Sequence, residues 1–222
     1  MNTKNKASES GLERQVDSLR TELLSRDKFS LAKNTGAEYR NGRYILEIWN
    51  KPVSIADDDF IAIDIENGIP CDNLTQAMLA YYMHTSDGAP VRDDWISFRE
   101  LPGGQFYATA FQSYTGDRLT ASFGEDIESF ARASEKLNGL AQPFGDAAFY
   151  FQALPRVPVA VVCWLGDEDF PTSFRLLFDD SIKHHLPTDA CAVLGSMLTR
   201  QLLTHKLAKV KTESKNSYTW RL

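Results

Sequence analysis

The segment from Leu154 to Thr204 constrains the fold of this 222-residue chain more than any other segment. Residues 157–164 read Val-Pro-Val-Ala-Val-Val-Cys-Trp, an apolar run that is typical of a central strand covered on both faces. Residues 165–172 carry glycine, acidic residues and proline, which favour a turn, and every second residue of 173–178 is apolar. The sequence therefore predicts an antiparallel hairpin with a loop of roughly eight residues.

A helix is predicted directly after this hairpin. Pro187 ends the preceding turn, and Thr188 can act as the N-cap because its hydroxyl can accept from free backbone amides. Apolar residues then recur at spacings of three and four and form one stripe, which consists of Ala190, Val193, Leu194, Met197, Leu198 and Leu202. We expect this helix to pack on the hairpin and to close the core.

Shorter elements complete the predicted fold. Asn41-Gly42 predicts a type I′ turn, because both central positions of that turn need positive φ. Strands of an antiparallel meander are expected at 43–49, 53–55 and 60–65, and later strands at 95–98 and 147–153. Helices are expected at 73–85, from Gln105 onward, and at 125–137. The fold class is α+β, with a mainly antiparallel sheet of meander and hairpins packed against several helices and with an N-terminal helix.

The chain is divided as follows. Residues 1–9 are polar and are expected to be a disordered tail, and Ser10 with Glu13 has the capping-box spacing that predicts the start of an N-terminal helix over 10–35. Residues 36–207 are predicted to form a single α+β domain, and 208–222 a basic C-terminal tail. The helix carries only a narrow apolar stripe, which favours docking on the body over pairing; the stripe is Leu12, Val16, Leu19 and Leu23. A monomer or a weak homodimer is expected.

Composition and charge exclude several classes of function. The net charge is −6, and the stretch between Asp57 and Glu100 is acidic, with only Arg92 and Arg99 as basic residues. A nucleic-acid reader needs a basic face, so no specific nucleic acid partner is expected. No apolar run of about eighteen residues occurs and the N-terminus lacks an apolar leader, so we expect a cytoplasmic protein without a membrane partner. Three widely separated cysteines favour reduced, buried thiols.

Titratable residues gather at the end of the second hairpin strand. Five of them are expected to converge on one edge of the sheet: Arg156, Asp179, Asp180, His184 and His185. If 181–185 is helical, Asp180 and His184 share a face while His185 is turned away, so adjacent histidines are a poor chelating pair and no metal site is predicted. Two interpretations stay open. Either Arg156 pairs with Asp179 or Asp180 and one histidine binds a carbonyl, which is a structural role, or the cluster binds a ligand.

Two other polar motifs carry weaker signals. Residues 167–169, Asp-Glu-Asp, are placed at the opposite end of the strand, and a solvated loop is expected there. Gly103-Gly104 stands before a predicted helix, where an anion could meet free amides. Close backbone packing is the favoured interpretation of this glycine pair, because the lysine and hydroxyl of a phosphate-binding loop are missing.

Several of these motifs together resemble a known family. They are Gly103-Gly-Gln-Phe-Tyr107, Leu154-Pro-Arg-Val-Pro158, Trp164-Leu-Gly-Asp-Glu-Asp-Phe-Pro171, and Leu177-Phe-Asp-Asp180 through His185-Leu-Pro187. Over residues 36–204 the chain resembles the domain-of-unknown-function family numbered 3786, which is found largely in anaerobic bacteria and archaea. Some relatives bear an added cysteine-rich iron–sulfur domain, but the three cysteines of this chain do not imply a cluster. The family has no established activity to transfer.

The functional prediction is correspondingly broad. Neither a serine elbow, a zinc-binding histidine-glutamate helix, a paired-cysteine knuckle nor a kinase signature occurs. We therefore predict an intracellular ligand-binding or accessory protein of prokaryotic, anaerobic metabolism, with a small molecule or a protein as partner and with no cofactor assigned. The alternative is a metal-assisted hydrolase or transferase that uses the Asp/His cluster.

Overall fold

The computed structural model describes the backbone of residues 3–216 and, within that range, the side chains of residue 11 and residues 13–206. It contains a four-stranded and a five-stranded antiparallel sheet with several helices, so the predicted α+β fold class and the N-terminal helix are confirmed. The chain divides into two compact units. Unit 1 comprises residues 1–94, 152–158 and 179–191, and unit 2 comprises residues 95–151, 159–178 and 192–222.

The N-terminal segment of unit 1 forms two helices, α1 (Thr3–Leu23) and α2 (Lys28–Thr35). The prediction of a single helix over 10–35 was therefore wrong. Asp27 starts α2 as its N-cap by accepting from the Ser30 amide at 2.8 Å, and Gly36 ends it in the left-handed conformation. Ser10 lies inside α1 and not at its start, and of the predicted tail, residues 1 and 2 lie outside the described residues.

A meander of four strands follows in unit 1. Strands β1 (Glu38–Arg40), β2 (Arg43–Ile48), β3 (Lys51–Ala56) and β4 (Ala62–Asp64) pair in the order β1-β2-β3-β4, each antiparallel to the next. Asn41 and Gly42 connect the first two strands with φ of 51° and 74°. Both central positions have positive φ, as the predicted turn requires.

Helix α3 (Asn73–Thr85) follows the meander, and α1 packs against it. Its N-cap is Asp72, which accepts from the Thr75 amide. Val16 of α1 is buried with Ala77 and Ala80 of α3, and Leu19 packs against the same cluster. The N-terminal helix thus docks on the body of its own chain. Leu12, the first residue of the predicted stripe, lies outside the described side chains.

The five-stranded sheet is built around the predicted hairpin. Its strands are β5 (Trp95–Ser97), β6 (Leu140–Gln142), β7 (Ala147–Leu154), β8 (Val157–Trp164) and β9 (Ser173–Asp179), in the order β5-β9-β8-β7-β6. The register of β8 and β9 runs from Val159 opposite Phe178 to Trp164 opposite Ser173, so the loop is residues 165–172 as predicted. All of β8 except Trp164 is buried, which agrees with a central strand.

Three helices follow β5 in unit 2: α4 (Ala108–Tyr114), α5 (Gly116–Phe123) and α6 (Ile127–Glu135). The single helix predicted from Gln105 is a 3-10 turn over Gly104–Phe106 followed by α4 and α5. The break falls at Thr115, whose φ of −117° and ψ of −91° are not helical.

Helix α7 (Thr188–Asn216) begins at Thr188, the residue predicted to precede it as N-cap, and extends further than expected. At Gly195 a Cβ would lie 2.7 Å from the Phe111 ring and 3.2 Å from Leu176, so glycine lets the helix pack closely on β9 and α4. Residues 208–216, predicted as a tail, continue the helix, and their alanine, three lysines and glutamate favour helical backbone. Residues 217–222 lie outside the described residues. Over the part of the chain described, no helix combines the length and apolarity needed to cross a membrane.

Candidate functional site

The predicted cluster is organised by a 3-10 turn at the end of β9. This turn spans Asp180–His184, and Asp179 is its N-cap. The Asp179 side chain is fully buried and accepts from the amide of Ser181 at 2.9 Å and from the Ser181 hydroxyl. A buried carboxylate is tolerated only when donors surround it, and these two contacts supply part of that requirement.

The remaining donor to Asp179 comes from a distant part of the sequence. The backbone amide of Arg92 lies 3.1 Å from Oδ1 and 3.2 Å from Oδ2 of Asp179. The Arg92 guanidinium donates to Oδ2 of Asp180 at 2.7 Å, and the Asp180 amide donates to the carbonyl of Asp94 at 2.8 Å. Arg92 thus binds both aspartates, one through its backbone and the other through its side chain.

The 3-10 geometry decides which side chain lies beside Asp180. A 3-10 helix has three residues per turn, so residues i and i+3 are eclipsed. Lys183 therefore donates to Oδ1 of Asp180. The hydrogen bond from Lys183 and the positive charge of Arg92 hold the pKa of the Asp180 carboxyl below its usual value. His184, which α-helical spacing would have placed there, points elsewhere.

His184 pairs with an aspartate outside the predicted cluster. Its Nδ1 lies 2.8 Å from Oδ2 of Asp87, and its carbonyl accepts from the Asp87 amide at 3.3 Å. The hydrogen bond with His184 lowers the pKa of Asp87. Both side chains are partly exposed, so this pair is a surface contact.

His185 is fully buried and has a definable tautomer. Its Nε2 lies 3.0 Å from the Ala89 carbonyl, which can only accept, so Nε2 carries the proton. Nδ1 then accepts from the Ser86 hydroxyl at 3.3 Å. Burial lowers the pKa of His185, because the charged imidazolium loses its hydration. The neutral ring is bonded at both nitrogens.

Arg156 does not take the role expected of it. Among the described residues it pairs with neither Asp179 nor Asp180; its Nη2 donates to the carbonyl of Lys33 at 3.0 Å, in the last turn of α2. Its amide donates to the Tyr82 hydroxyl at 3.2 Å, and its Nε is buried without a hydrogen-bond partner. A cation beside terminal carbonyls is favoured by the helix dipole, and this local field is the physical reason for the different partner.

The four other predicted side chains share one target, residues 86–94, which connect α3 to β5 without helix or strand. We call this arrangement the clasp; it comprises Asp179, Asp180, His184 and His185 with their partners in 86–94, all within unit 1. A segment without regular structure must satisfy its backbone groups by other contacts, and the clasp does this for Arg92, Ala89 and Asp94. Across the residues that the structure describes, no group of three or more His, Cys, Asp or Glu could hold a metal ion.

Sequence reasoning found one half of the clasp and missed the other. Arg92, Asp87 and Ser86 were not predicted as partners. A signal for Arg92 was available, since Arg92 and Arg99 are the only basic residues in the acidic stretch between Asp57 and Glu100. No sequence signal identifies the Ser86 hydroxyl or the Ala89 carbonyl, because both contacts depend on the path of the segment.

The acidic loop of the hairpin has its own internal contacts. The Oδ1 atom of Asp167 accepts from the amides of Asp169 and Phe170 at 2.9 and 2.8 Å, which closes a turn. These backbone hydrogen bonds, chiefly the one from Phe170, lower the pKa of Asp167. This loop lies in unit 2, whereas the clasp lies in unit 1.

The glycine pair of unit 2 packs closely against its own backbone. A Cβ on Gly104 would lie 2.0 Å from the Phe98 carbonyl oxygen, so only glycine fits at this corner. The helix that follows immediately is a three-residue 3-10 turn, Gly104–Phe106. Close packing, the favoured interpretation, accounts for Gly104.

A surface without charge follows this corner. No charged residue occurs between Glu100 and Asp117, yet many residues of that stretch are exposed. Phe106 is 79% exposed and Tyr107 is 63% exposed, which is unusual for aromatic side chains. We call the exposed set the uncharged aromatic surface; it consists of Pro102, Gly103, Gln105, Phe106, Tyr107, Thr109, Ala110, Ser113 and Tyr114.

The fold and these sites define an α+β protein whose clustered titratable side chains bind its own backbone and side chains. The chain belongs to the family described as domain of unknown function (DUF3786), whose model matches residues 27–201. The resemblance found in the sequence motifs is thereby confirmed. Neither a curated protein nor a solved structure gives a significant match to the chain.

Proposed function

We propose that this chain is an intracellular, non-catalytic accessory protein that acts by binding another protein through the uncharged aromatic surface. The observation that carries the proposal is the exposure of Phe106 and Tyr107 within a stretch that has no charged residue. Depletion of charge and enrichment of aromatic side chains distinguish the centre of protein interfaces from the rest of a protein surface. Contiguous exposed apolar surface rimmed by polar residues marks interaction sites, and Phe106 and Tyr107 are neighbours in the chain.

The backbone beneath the uncharged aromatic surface is held in place by buried residues. Phe111 of α4 is buried and stacks on Phe98 with ring centroids 4.2 Å apart and planes 9° apart. Gly104 closes the preceding corner against Phe98. A fixed backbone has little conformational entropy left to lose on binding, and this favours affinity.

The clasp favours the non-catalytic form of the proposal. Asp179 and His185 are fully buried and have internal partners for their polar atoms. A general base or nucleophile must reach a substrate, and two buried, bonded groups have no such access. Asp179 and His185 are therefore not available as base or nucleophile for the metal-assisted hydrolase or transferase. The other two cluster residues are partly exposed but bonded, His184 to Asp87 and Asp180 to Arg92 and Lys183.

The test compares three forms of the full chain: wild type, the double variant F106A/Y107A, and Phe170→Ala. Phe170 is a matched control because it is 72% exposed but lies in the acidic loop 165–172. We expect wild type and Phe170→Ala to retain the same protein in pull-down and native mass spectrometry, and F106A/Y107A to lose it. Turnover of a phosphoester, amide or ester that His184→Ala abolishes would overturn the proposal.

A further inference from the structure

Helix α1 lies outside the domain that the family model matches. The match begins at residue 27, whereas α1 ends at Leu23. Asp27 caps α2 by accepting from an amide of its first turn, so the start of α2 does not depend on α1. The Arg26 side chain donates to the His84 carbonyl and holds this end of the connection on α3. Residues 24–26 are therefore a connection at which α1 can move while α2 stays in place.

Side chains of α1 contact α3 along most of its length. Contacts between described residues include Glu13 with Asn73, Val16 with Ala77, Arg20 with Gln76, and Glu22 with His84. Asn73 is the first residue of α3, and His84 lies in its last turn. We call the contacted surface the α3 face; it consists of Asn73, Gln76, Ala77, Ala80 and His84.

The chemistry of the α3 face defines the helix that it fits. Ala77 and Ala80 are buried beneath Val16, and their small side chains let the two helices approach closely. Gln76 offers an acceptor oxygen to a cation, and the His84 ring lies 2.8 Å from an acidic oxygen of α1. An occupant therefore needs an aliphatic side chain at the centre, a cation within reach of Gln76 and an acid opposite His84.

The α3 side of this contact does not depend on α1. The Nε2 atom of Gln76 donates to the Ala62 carbonyl at 2.8 Å, and its Oε1 accepts from the Ala62 amide at 3.0 Å. Arg20 donates to the same Oε1 at 2.7 Å and so uses its second lone pair. When α1 leaves, Gln76 keeps both bonds to β4, and water can take the place of the guanidinium.

The α1 side of the contact is only partly satisfied. The Nε of Arg20 is buried and has no hydrogen-bond partner among the described residues. A buried donor without a partner favours the state in which water reaches it. Of the described side chains of α1, only Val16 and Leu23 are buried. The docked helix therefore has a small apolar contact and an unpaired donor.

These contributions give a modest docking equilibrium. Full burial of one aliphatic side chain favours the docked state by roughly 10- to 100-fold. The unpaired Nε of Arg20 and the ordering of the helix oppose docking. With Val16 and Leu23 both buried, we expect the docked form to exceed the undocked form by about 10- to 100-fold. Such a segment opens without unfolding the rest of the chain.

We propose that the α3 face is a helix-binding site, and that α1 occupies it within its own chain as a detachable cover. A helix of the same chemistry in a partner protein competes with α1 for this face and binds when α1 has left. The α3 face lies in unit 1 and the uncharged aromatic surface in unit 2, so this inference stands apart from the proposed function.

The docking equilibrium sets the affinity for a separate helix. A connection of three residues holds α1 near the α3 face at an effective concentration of roughly 1 mM. The same helix supplied as a peptide should therefore bind a vacated α3 face with a dissociation constant on the order of 10–100 µM. Wild type should bind the peptide about 10- to 100-fold more weakly, because α1 must leave first.

The first experiment measures binding of a labelled peptide of residues 3–26 to the full chain by fluorescence anisotropy. Val16→Glu places a charge against Ala77 and Ala80 and should free the α3 face. Ser18→Glu is the matched control, because it adds the same charge at an exposed position of α1. Val16→Glu should bind the peptide, Ser18→Glu should behave as wild type, and a peptide that itself carries Val16→Glu should not bind. Equal binding to all three chains, or no binding to Val16→Glu, overturns the proposal.

The second experiment is native-state hydrogen exchange of the full chain, which does not depend on any variant being folded. In wild type the amides of α1 should exchange together, at least about 100-fold faster than those of β2, because α1 opens while the meander stays folded. Val16→Glu should remove the protection of α1 and keep that of β2, and Ser18→Glu should change neither. Exchange of α1 only together with β2 in wild type would show that α1 belongs to the cooperative core and would refute the detachable cover.

Discussion

Replacement of Asp179 by alanine tests the clasp most directly. The Asp179 carboxylate accepts from the amides of Arg92 and Ser181 and from the Ser181 hydroxyl, and the side chain is fully buried. A hydrogen bond to a charged group contributes roughly 1.5–3 kcal/mol, and each buried donor left unpaired costs about 1–3 kcal/mol. Because these contributions are not additive, we expect Asp179→Ala to lower the free energy of unfolding by about 3–5 kcal/mol.

Asp180 provides the matched control in the adjacent position. Its carboxylate binds the Arg92 and Lys183 side chains, which are 51% and 39% exposed, so solvent screens both ion pairs. Exposed ion pairs contribute about 0–1 kcal/mol, and we expect Asp180→Ala to cost no more than that. Asp179→Asn should fall between the two variants, at about 1–3 kcal/mol, since the amide keeps one acceptor oxygen but presents a donor to other donors.

The measurement is urea denaturation of the full chain, followed by circular dichroism. The three variants should unfold with similar m-values if the native state is otherwise unchanged. A free energy of unfolding for Asp179→Ala within about 1 kcal/mol of the Asp180→Ala value would refute the structural account of the clasp. Full stability of both variants, together with loss of a bound ligand, would instead support a binding role for this cluster.

Three further results are expected. Burial lowers the pKa of His185 in the folded state, so as pH falls the imidazole of the unfolded state is protonated before that of the folded state. The free energy of unfolding should therefore fall as pH drops below the ordinary value of 6.5, and it should fall more steeply in wild type than in His185→Gln. Deletion of residues 1–24, which removes the contact of α1 with α3, should lower the melting temperature without changing self-association in sedimentation. In denaturation, Gly104→Ala should destabilise the protein by about 1–3 kcal/mol, because its Cβ meets the Phe98 carbonyl. The control Gly103→Ala has open space around its Cβ and should cost only the strain of positive φ, about 1 kcal/mol.

Local sequence patterns predicted the elements whose boundaries have local causes. The run 157–164 is continuously apolar because a strand buried on both faces has apolar residues at nearly every position. The residues of 173–178 alternate because that strand has one face that is more buried than the other. Asn41-Gly42 identifies its turn because few other pairs accept two positive φ values. The break at residues 24–27 between α1 and α2 was missed, since several residue types there also continue a helix.

The partners within the clasp were beyond the reach of sequence reasoning. Residues 86–94 are separated from Asp179 by more than 80 positions, and only the fold brings the Arg92 amide to its carboxylate. Arg156 was the natural candidate because it lies in the adjacent connection of the same hairpin. Its side chain instead donates to the Lys33 carbonyl at the end of α2, which lies 123 positions earlier in the chain.

The uncharged aromatic surface illustrates a different limit. The absence of charge between Glu100 and Asp117 is readable from the sequence, but the same pattern is typical of a buried helix. The two cases differ only in which face of α4 is covered. The structure buries Phe111 and leaves Ala110 and Ser113 exposed, so the lack of charge belongs to the surface and not to the core. An exposed stretch without charged side chains is a feature that folding alone does not require, and it is the observation on which the proposed contact with another protein rests.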